Sequence, residues 1–463
     1  MAAPFLSRLF RRTAPQPAHR RSFDAATGGR RGSSFLASGS LGTETLAAAT
    51  PLRNRARHAF HNNGYVANAV RALTAESVGA GIEPASAHPD TDLREPINQA
   101  WLVFCEQADA EGMTDLRGFL ASMVQACFVD GEAFALIEDA ANGIKLRQLP
   151  SEMVDESKTA DLTGGGYIAA GIEFDAQGRR EAYHIQPHRP TELFPTTGAP
   201  IRVPASDVLH LIRPLGPGQV RGVSWLTPIL LTLNEYDQLH DALLVGAKIA
   251  AMHAGFVTDQ NSMGGTGTFP EVNDLSDISL EPGVVRVLPA GTDIKFNTPA
   301  EAKDSVAFAK LTLGQIAAGL GVPQHLLDGD LSNANYSSLR AGLIPFRQKV
   351  EQFQYHQIVP QVLNPLWRRV ITHAYVSGKL DLPDLESAFK VEWLTPRAMQ
   401  VDPQKDTDAL ISQIEAGLTS RTQAVASLGW NAADLDNERA AERQREADLG
   451  LTTKNKTEPT DAT

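Results

Sequence analysis

Apolar residues recur at every third or fourth position over residues 51–80, which predicts a helix there. The same spacing returns at Leu116, Phe119, Leu120, Met123 and Cys127, with Thr114 as the prospective N-cap, and it makes Cys127 a core residue. From residue 132 to about 220 the period shortens to two. A hairpin is predicted at Ala133–Ile137 and Ile144–Leu149 with its turn at Asn142-Gly143, a second at Ile168–Phe174 and Glu181–Gln186 around Asp175–Gly178, and a further strand at Asp207–Ile212. Helical spacing then resumes: Thr227 as cap and Pro228 at the first position open a long helix to about His253, with Leu226, Ile229, Leu233, Tyr236, Leu243, Ala247 and Ala250 on one side.

After a Gly/Ser/Thr-rich stretch at Asn261–Gly267, strands are expected at Val284–Leu288 and Asp293–Asn297, turned at Pro289–Gly291. Val306, Ala309, Leu313, Ile316 and Leu320 predict a core helix closed by Gly321 and Pro323. Residues 328–338 are turn-formers and read as an exposed loop. A long helical pattern runs from Leu339 to Val376, carried by Phe346, Val350, Phe353, Val359, Val362, Leu366 and Val370, with kinks or breaks expected at Pro345, Pro360 and Pro365. Two shorter helices at 402–417 and 420–428 precede a charged tail from 434 that lacks the apolar residues for a core.

Charge changes the picture once it is divided along the chain. Residues 1–60 hold ten arginines, Arg8, Arg11, Arg12, Arg20, Arg21, Arg30, Arg31, Arg53, Arg55 and Arg57, against Asp24 and Glu44, a net +8. The whole chain has 42 basic and 54 acidic residues, so 32 face 52 in the remainder, a net −20. Such a body grips duplex DNA poorly, because affinity comes largely from Lys and Arg neutralising phosphates. The arm up to about Thr50 reads as a flexible basic tail that orders on a partner, although an Arg- and Ser-rich, acid-poor start also fits an organellar transit peptide. No apolar run is long enough to span a membrane, since Glu235, Asp237, Asp241 and Lys248 interrupt the best candidate, and two cysteines, Cys105 and Cys127, fit a reducing compartment.

Candidate chemistry is sparse. Gly216-Pro-Gly218-Gln-Val-Arg-Gly222 has the wrong spacing for a nucleotide loop, Gly264–Thr268 precedes no helix, and Gly164–Gly166 is a turn. His58 with His61 and His184 with His188 lack a third ligand, and Asp328 with Asp330 lacks a second acidic cluster. The commonest hydrolase signatures, GxSxG and HExxH, are absent, and no metal, cofactor or catalytic residue is expected.

The order of elements resembles the lambda-type tailed-bacteriophage portal protein family. The resemblance lies in Pro204-Ala-Ser-Asp-Val-Leu-His-Leu-Ile-Arg213, Gln219-Val-Arg-Gly-Val-Ser-Trp-Leu-Thr-Pro228, Gly319-Leu-Gly-Val-Pro323 and Asn335-Tyr-Ser-Ser-Leu-Arg340, and it runs over roughly residues 50–430. It implies a mixed α+β portal fold with wing, long-helix stem, β-rich clip and helical crown, assembled as a ring, a dodecamer on the procapsid. The implied divisions are a basic arm (1–50), wing (51–114), first stem helix region (115–137), clip-containing β-rich region (138–222), second stem helix (223–254), wing with hairpin, core helix and channel loop (255–340), helical wing and crown (341–430) and disordered charged tail (431–463).

The implied function is a non-enzymatic DNA channel at one capsid vertex of the virion, assembled in the host cytoplasm and serving genome packaging, head–tail connection and ejection. Its implied partners are double-stranded DNA, the terminase large subunit, head-completion or adaptor proteins, and the major capsid and scaffold proteins. Asp328, Asp330, Asn333, Asn335, Tyr336, Ser337 and Ser338 fall at the implied channel loop, with Asn333, Asn335 and Ser337 as neutral DNA contacts. Arg340, Arg347 and Lys349 are candidates for DNA or subunit contact, and the arm arginines Arg8, Arg11, Arg12, Arg20, Arg21, Arg30 and Arg31 for scaffold, capsid or packaged DNA. The competing class is a nucleic-acid-processing enzyme whose basic arm delivers substrate.

Overall fold

Asn63 divides the first helical stretch in two. The computed structural model describes residues 40–140, 143–187, 198–251, 255–258, 285–288, 302–332, 335–396 and 402–451. Helix α1 (Leu41–Asn62) ends where the Asn63 side chain accepts hydrogen bonds from the backbone N–H groups of Tyr65 and Val66, capping α2 (Gly64–Val78). The single helix expected over 51–80 is therefore two, and α1 begins ten residues inside the span assigned to a flexible arm. Strand β1 (Glu83–Ser86) and α3 (Arg94–Glu106) lead to α4 (Leu116–Asp130), whose N-cap is Asp115, not Thr114, through a bond from Gly118 N–H. Gly131 ends α4 at φ 96°, and a Cβ there would sit 2.3 Å from the Val223 carbonyl carbon, so only glycine fits.

The expected first hairpin forms as β2 (Glu132–Ala140) and β3 (Gly143–Leu149). Beyond it the stretch 168–174 is not one strand: β4 (Ala160–Asp161) and β5 (Tyr167–Ala169) are separated from β6 (Ile172–Phe174) by a tight turn in which Ala170 takes φ 47° and Gly171 φ 81°. Strands β7 (Arg180–Ile185) and β8 (Ile201–Pro204) complete a five-stranded antiparallel sheet in order β4-β5-β6-β7-β8. The chain then returns as β9 (Val208–Ile212) to the far side of β2, giving a three-stranded sheet β3-β2-β9. Alternation along β2 feeds two cores, with Ala133, Ala135 and Ile137 in the main helical core and Phe134 in a smaller core with Met153, Ile172 and Tyr183.

Thr227 does not cap the next helix. It lies in a 3-10 turn (Thr227–Ile229) ahead of α5 (Leu230–Ala251). A parallel pair comes next, β10 (Gly255–Thr258) with β11 (Val285–Leu288), where an antiparallel hairpin from 284 to 297 was expected. Asp293–Asn297, its turn at Pro289–Gly291 and the Asn261–Gly267 loop lie outside the described residues. Helix α6 (Ala302–Leu320) brings its C-terminal end back to the start of α5, where Gly319 meets Ile229. Burial mirrors that contact: Leu233 and Tyr236 near the start of α5, and Leu313, Ile316 and Leu320 near the end of α6, are buried, whereas Val306 is not.

Helix α7 (Gln324–Asp328) and a short turn precede α8 (Tyr336–Phe353). The prolines between Leu339 and Val376 do not break the helical path. A ten-residue π-helical segment (Gln354–Leu363) holding Pro360 joins α8, which contains Pro345, to α9 (Asn364–Val376), and Pro365 sits in the first turn of α9. The wider π turn absorbs the interruption as a change of helical period. All seven apolar positions named for this stretch are buried, and Gln361 in the π segment accepts a 2.8 Å bond from Ile212 N–H at the end of β9.

Helix α10 (Leu385–Ala388) leads into β12 (Val391–Leu394), which pairs with β1 beside a cluster of Trp101, Trp367 and Trp393 with ring centroids 5.3–6.0 Å apart. Helices α11 (Pro403–Glu415) and α12 (Arg421–Ser427) appear where expected. The tail is helical from Ala432 to Asp448 (α13), where disorder was expected, and buries none of its residues. Its polarity barred a core but not a solvent-exposed helix capped by Asn431.

Candidate functional site

The turn between α7 and α8 is built from side chains that bond to their own backbone. Asp328, the last residue of α7, accepts from Gln324 Nε2 and from the backbone N–H of Asp330, each at 2.9 Å. Asp330 accepts from Ser332 N–H at 2.9 Å and from Lys310 Nζ of α6 at 2.8 Å. The Lys310 bond, then the Ser332 bonds, hold the Asp330 carboxyl well below the usual carboxylate range, and the same pairing raises Lys310. Asn335 caps α8 in a reciprocal box with Ser338. Of the span read as one exposed loop, Asp328 thus belongs to α7, Tyr336, Ser337 and Ser338 belong to α8, and Asn333 lies outside the described residues. Asn68 Nδ2 anchors the preceding helix by donating to the Leu326 and Leu327 carbonyls at 2.9 and 3.1 Å.

The three cations proposed beside this turn separate. Arg340 pairs with Asp406 at 3.1 Å and ties α8 to α11. Arg347 is half-buried along a groove with Glu76, Glu351 and Trp430. Lys349 is exposed and lies eleven residues beyond Ser338, roughly 16 Å along the helix. It borders a different cleft, with Arg213 and His356.

Of the ten N-terminal arginines, Arg8, Arg11, Arg12, Arg20, Arg21, Arg30 and Arg31 lie outside the described residues, and Arg53 and Arg57 turn inward. Arg57 grips Asp130 through bonds of 2.7 and 2.6 Å and also reaches Glu152. Arg53 is buried against Glu156. Next to them lies Arg221, wholly buried, donating to Glu132 at 2.8 Å and to the carbonyls of Ser151, Ala170 and Val154. Glu132 also accepts from Gly222 N–H at 2.8 Å and bonds His210 at 3.2 Å. Burial alone would raise the Glu132 carboxyl, but Arg221 and His210 outweigh it and hold it far below its ordinary value.

This network joins α1, the end of α4, the β2–β9 sheet and the connection at 221, and sequence reasoning did not find it. One signal was available: Arg53 and Arg57 stand four apart, so a helix places both on one face.

The remaining motifs have structural roles. Gly222 packs on Gly131, where a Cβ would lie 2.3 Å from the Gly131 oxygen. His58 bonds Asn62, and His184 is buried between Glu173 and Lys158 at 3.0 and 2.9 Å, while His188 lies outside the described residues. Both cysteines are free and buried, and burial pushes the Cys105 thiol up to about 12. Among the described residues no helix is long and apolar enough to cross a membrane.

The chain is similar to several known proteins. It is 26% identical over 426 residues to the probable portal protein of Halomonas phage phiHAP-1, covering 86% of this chain and 81% of that one. It is 22% identical over 453 residues to portal protein B of Escherichia phage lambda and 21% over 458 residues to the portal protein of Escherichia phage N15, each covering 86% of this chain and 84% of the other. Among solved structures it is similar to a chain in the neck of an empty GTA particle, with 16% identity, 82% of this chain and 93% of that chain covered, and a TM-score of 0.42. A chain in the virion of a native gene transfer agent particle has the same identity and coverage with a TM-score of 0.43. The family model described as phage portal protein, lambda family, matches residues 27–354, so the chain belongs to that family.

Proposed function

We propose that this portal protein is one subunit of a closed ring, a dodecamer on the procapsid, whose opening passes double-stranded DNA through one capsid vertex. The observation that carries the reading is the match to the portal family across residues 27–354. The α5–α6 pair supports it. Among the described side chains the two helices are buried where they meet the body, and they expose Leu244, Val245, Val306, Phe308 and Leu311. Apolar side chains at this density on the far part of two helices suit burial against neighbouring copies.

The same observation supports a different proposal for the stem. Helix α4 is buried along its length, including Phe119, Met123, Cys127 and Phe128, and so belongs to the body. The stem is better assigned to α5 and α6, with the clip in the connection between them, and the β-rich region 138–222 to the wing, because β2 packs one face on the helical core and the other on the core of the β-rich region. We keep the turn after α7 on the channel as a proposal, with Ser337 in the first turn of α8 as the exposed neutral contact, since Asn335 and Ser338 bond each other. An acidic lining would let DNA slide, with a reach of about 8 Å at physiological salt. Packaging energy would come from the terminase motor, with this chain as a non-enzymatic conduit. Head-completion proteins would dock at the clip, and the basic arm would meet scaffold, capsid or packaged DNA.

Negative-stain microscopy with native mass on the purified chain tests the reading. Rings with a central hole and a mass near twelve subunits are expected. A monodisperse monomer or dimer at all concentrations would overturn it and favour the enzyme alternative.

A further inference from the structure

We infer that the groove bordered by Tyr355, β12 and Trp430 is the docking site of this chain's own N-terminal segment Pro4–Arg12, bound as a basic amphipathic helix. This goes beyond the ring reading and does not depend on it. The groove, of about 1230 Å³, lies between the C-terminal end of α2, the helical path from α8 into the π segment, β12 and the residues that follow α12. Trp430 is 51% exposed, the one exposed tryptophan of the five in the chain, and Tyr355 on the same groove is 41% exposed. Leu394, Pro396 and Leu428 add half-buried apolar surface to the walls. An apolar surface of this extent with a polar rim is the mark of a docking site.

Charge selects the occupant. Glu76, Glu351 and Glu392 line the groove and form no salt bridge among the described residues, Glu83 pairs with Arg117, and Arg347 is the one base among the described lining residues. Carboxylates around an apolar floor repel nucleic acid and favour a ligand that carries both large apolar anchors and cations. Pro4-Phe-Leu-Ser-Arg-Leu-Phe-Arg-Arg12 has that composition, and no acid precedes Asp24. Helical spacing places Phe5, Leu6, Leu9 and Phe10 on one face, with Arg8 and Arg12 flanking one edge of it and Arg11 the other, where their long side chains reach a rim. Proline at position 4 suits the first helical residue. An apolar helical face laid into a hydrophobic groove is a recurrent mode of peptide recognition. The other terminus, Thr452–Thr463, has no aromatic or large aliphatic residue and therefore no anchor.

The tether makes the contact attainable. Helix α1 begins at Leu41, which lies against Gly216. Arg213, three residues earlier, lines a cleft with Ser77 near the end of α2, and the adjoining Glu76 and Gly79 line the groove. The arm thus leaves the body within reach of the groove's α2 wall. Residues 13–40 connect the segment to α1 and span up to roughly 90 Å when extended, against a width of about 60 Å for a body of this size. Covalent attachment over such a length supplies a local concentration on the order of millimolar, which favours the chain's own segment over a free partner. Arg20, Arg21, Arg30 and Arg31 lie outside the segment and keep the contacts proposed for the arm.

The test is photo-cross-linking in the full chain, with p-benzoylphenylalanine in place of Phe5 and the products mapped by peptide mass spectrometry. Cross-links to Tyr355, Trp393–Pro396 or Leu428–Trp430 are expected, and their yield should fall about fivefold or more in Trp430→Ala and in Arg8→Glu with Arg12→Glu. Trp430 is exposed, so its removal spares the core. Adding Glu351→Arg and Glu392→Arg to the arm variant reverses the charge on both sides and should restore most of the lost yield. Mixing isotope-labelled with unlabelled chains separates contacts within one chain from contacts between copies. Cross-links confined to other surfaces, found only between chains, or of unchanged yield in every variant would overturn the proposal. Native mass reads ring formation on the same samples, so failure of the ring reading and failure of this site are distinguishable.

Discussion

Replacing Arg221 by methionine should cost the folded chain about 4 kcal/mol, within the range of about 3–5 found when one partner of a buried ion pair is removed. Arg221 is 0% exposed, and its guanidinium serves the Glu132 carboxylate and three backbone carbonyls. Methionine fills much of the volume but donates nothing, so Glu132 keeps only His210 and Gly222 N–H, and the Ser151, Val154 and Ala170 oxygens lose their bonds to this side chain. The double variant Arg221→Met with Glu132→Leu removes the stranded charge as well. Its loss should fall short of the sum of the two single losses by about 1.5 kcal/mol or more, because residues in one hydrogen-bonded network couple. Urea denaturation read by tryptophan fluorescence measures all four states. A single-variant loss below about 1 kcal/mol, or strict additivity, would refute the idea that this network joins the helical body to the β-rich region.

Acid should weaken the same network. Burial pushes His210 down to about 4 despite its bond to Glu132, whereas an unfolded histidine titrates near 6.5. Between those values the unfolded chain binds a proton that the folded chain does not, so stability should fall as pH is lowered through that window, and His210→Gln should flatten the slope of the urea midpoint; parallel profiles would count against it. Phe308 and Leu311 on α6 are 58% and 61% exposed, so Phe308→Asp with Leu311→Asp should leave unfolding within about 0.5 kcal/mol per site while shifting native mass from rings to single chains. Rings of unchanged size would remove this face from the subunit contact.

What the sequence revealed tracks the range of the forces involved. The hairpin of β2 and β3 and the buried positions from Phe346 to Val370 were legible because side-chain periodicity is a local property. The break at Asn63 was written in a local cap, yet the apolar spacing runs across it and hid the signal. Thr114 and Asp115 are both good capping residues, and only the backbone decided between them. The split of 168–174 depends on Ala170 accepting a left-handed conformation in which its carbonyl reaches Arg221, a partner 51 residues away. The parallel pairing of β10 with β11 is similarly non-local.

For the candidate site, turn chemistry located the segment near 328–338, but the sequence did not reveal that Asn335 and Ser338 spend their polar groups on each other. Nor did it show that Lys349 and His356 line one cleft with Arg213, since that needs α6, α8 and the connection before α5 to be assembled first.

The order β3-β2-β9 places the two ends of the β4–β8 sheet on opposite flanks of one strand. Everything between Leu149 and Val208 therefore leaves and re-enters the molecule at fixed neighbouring points. Such an arrangement behaves as a socket: lengthening or replacing the inserted sheet leaves β2 and its flanking strands in register, provided that Phe134 still finds an apolar cover and Arg221 the carbonyls that Ser151, Val154 and Ala170 now offer. Related chains are thus free to diverge most in this insert while conserving the framework that carries α5 and α6.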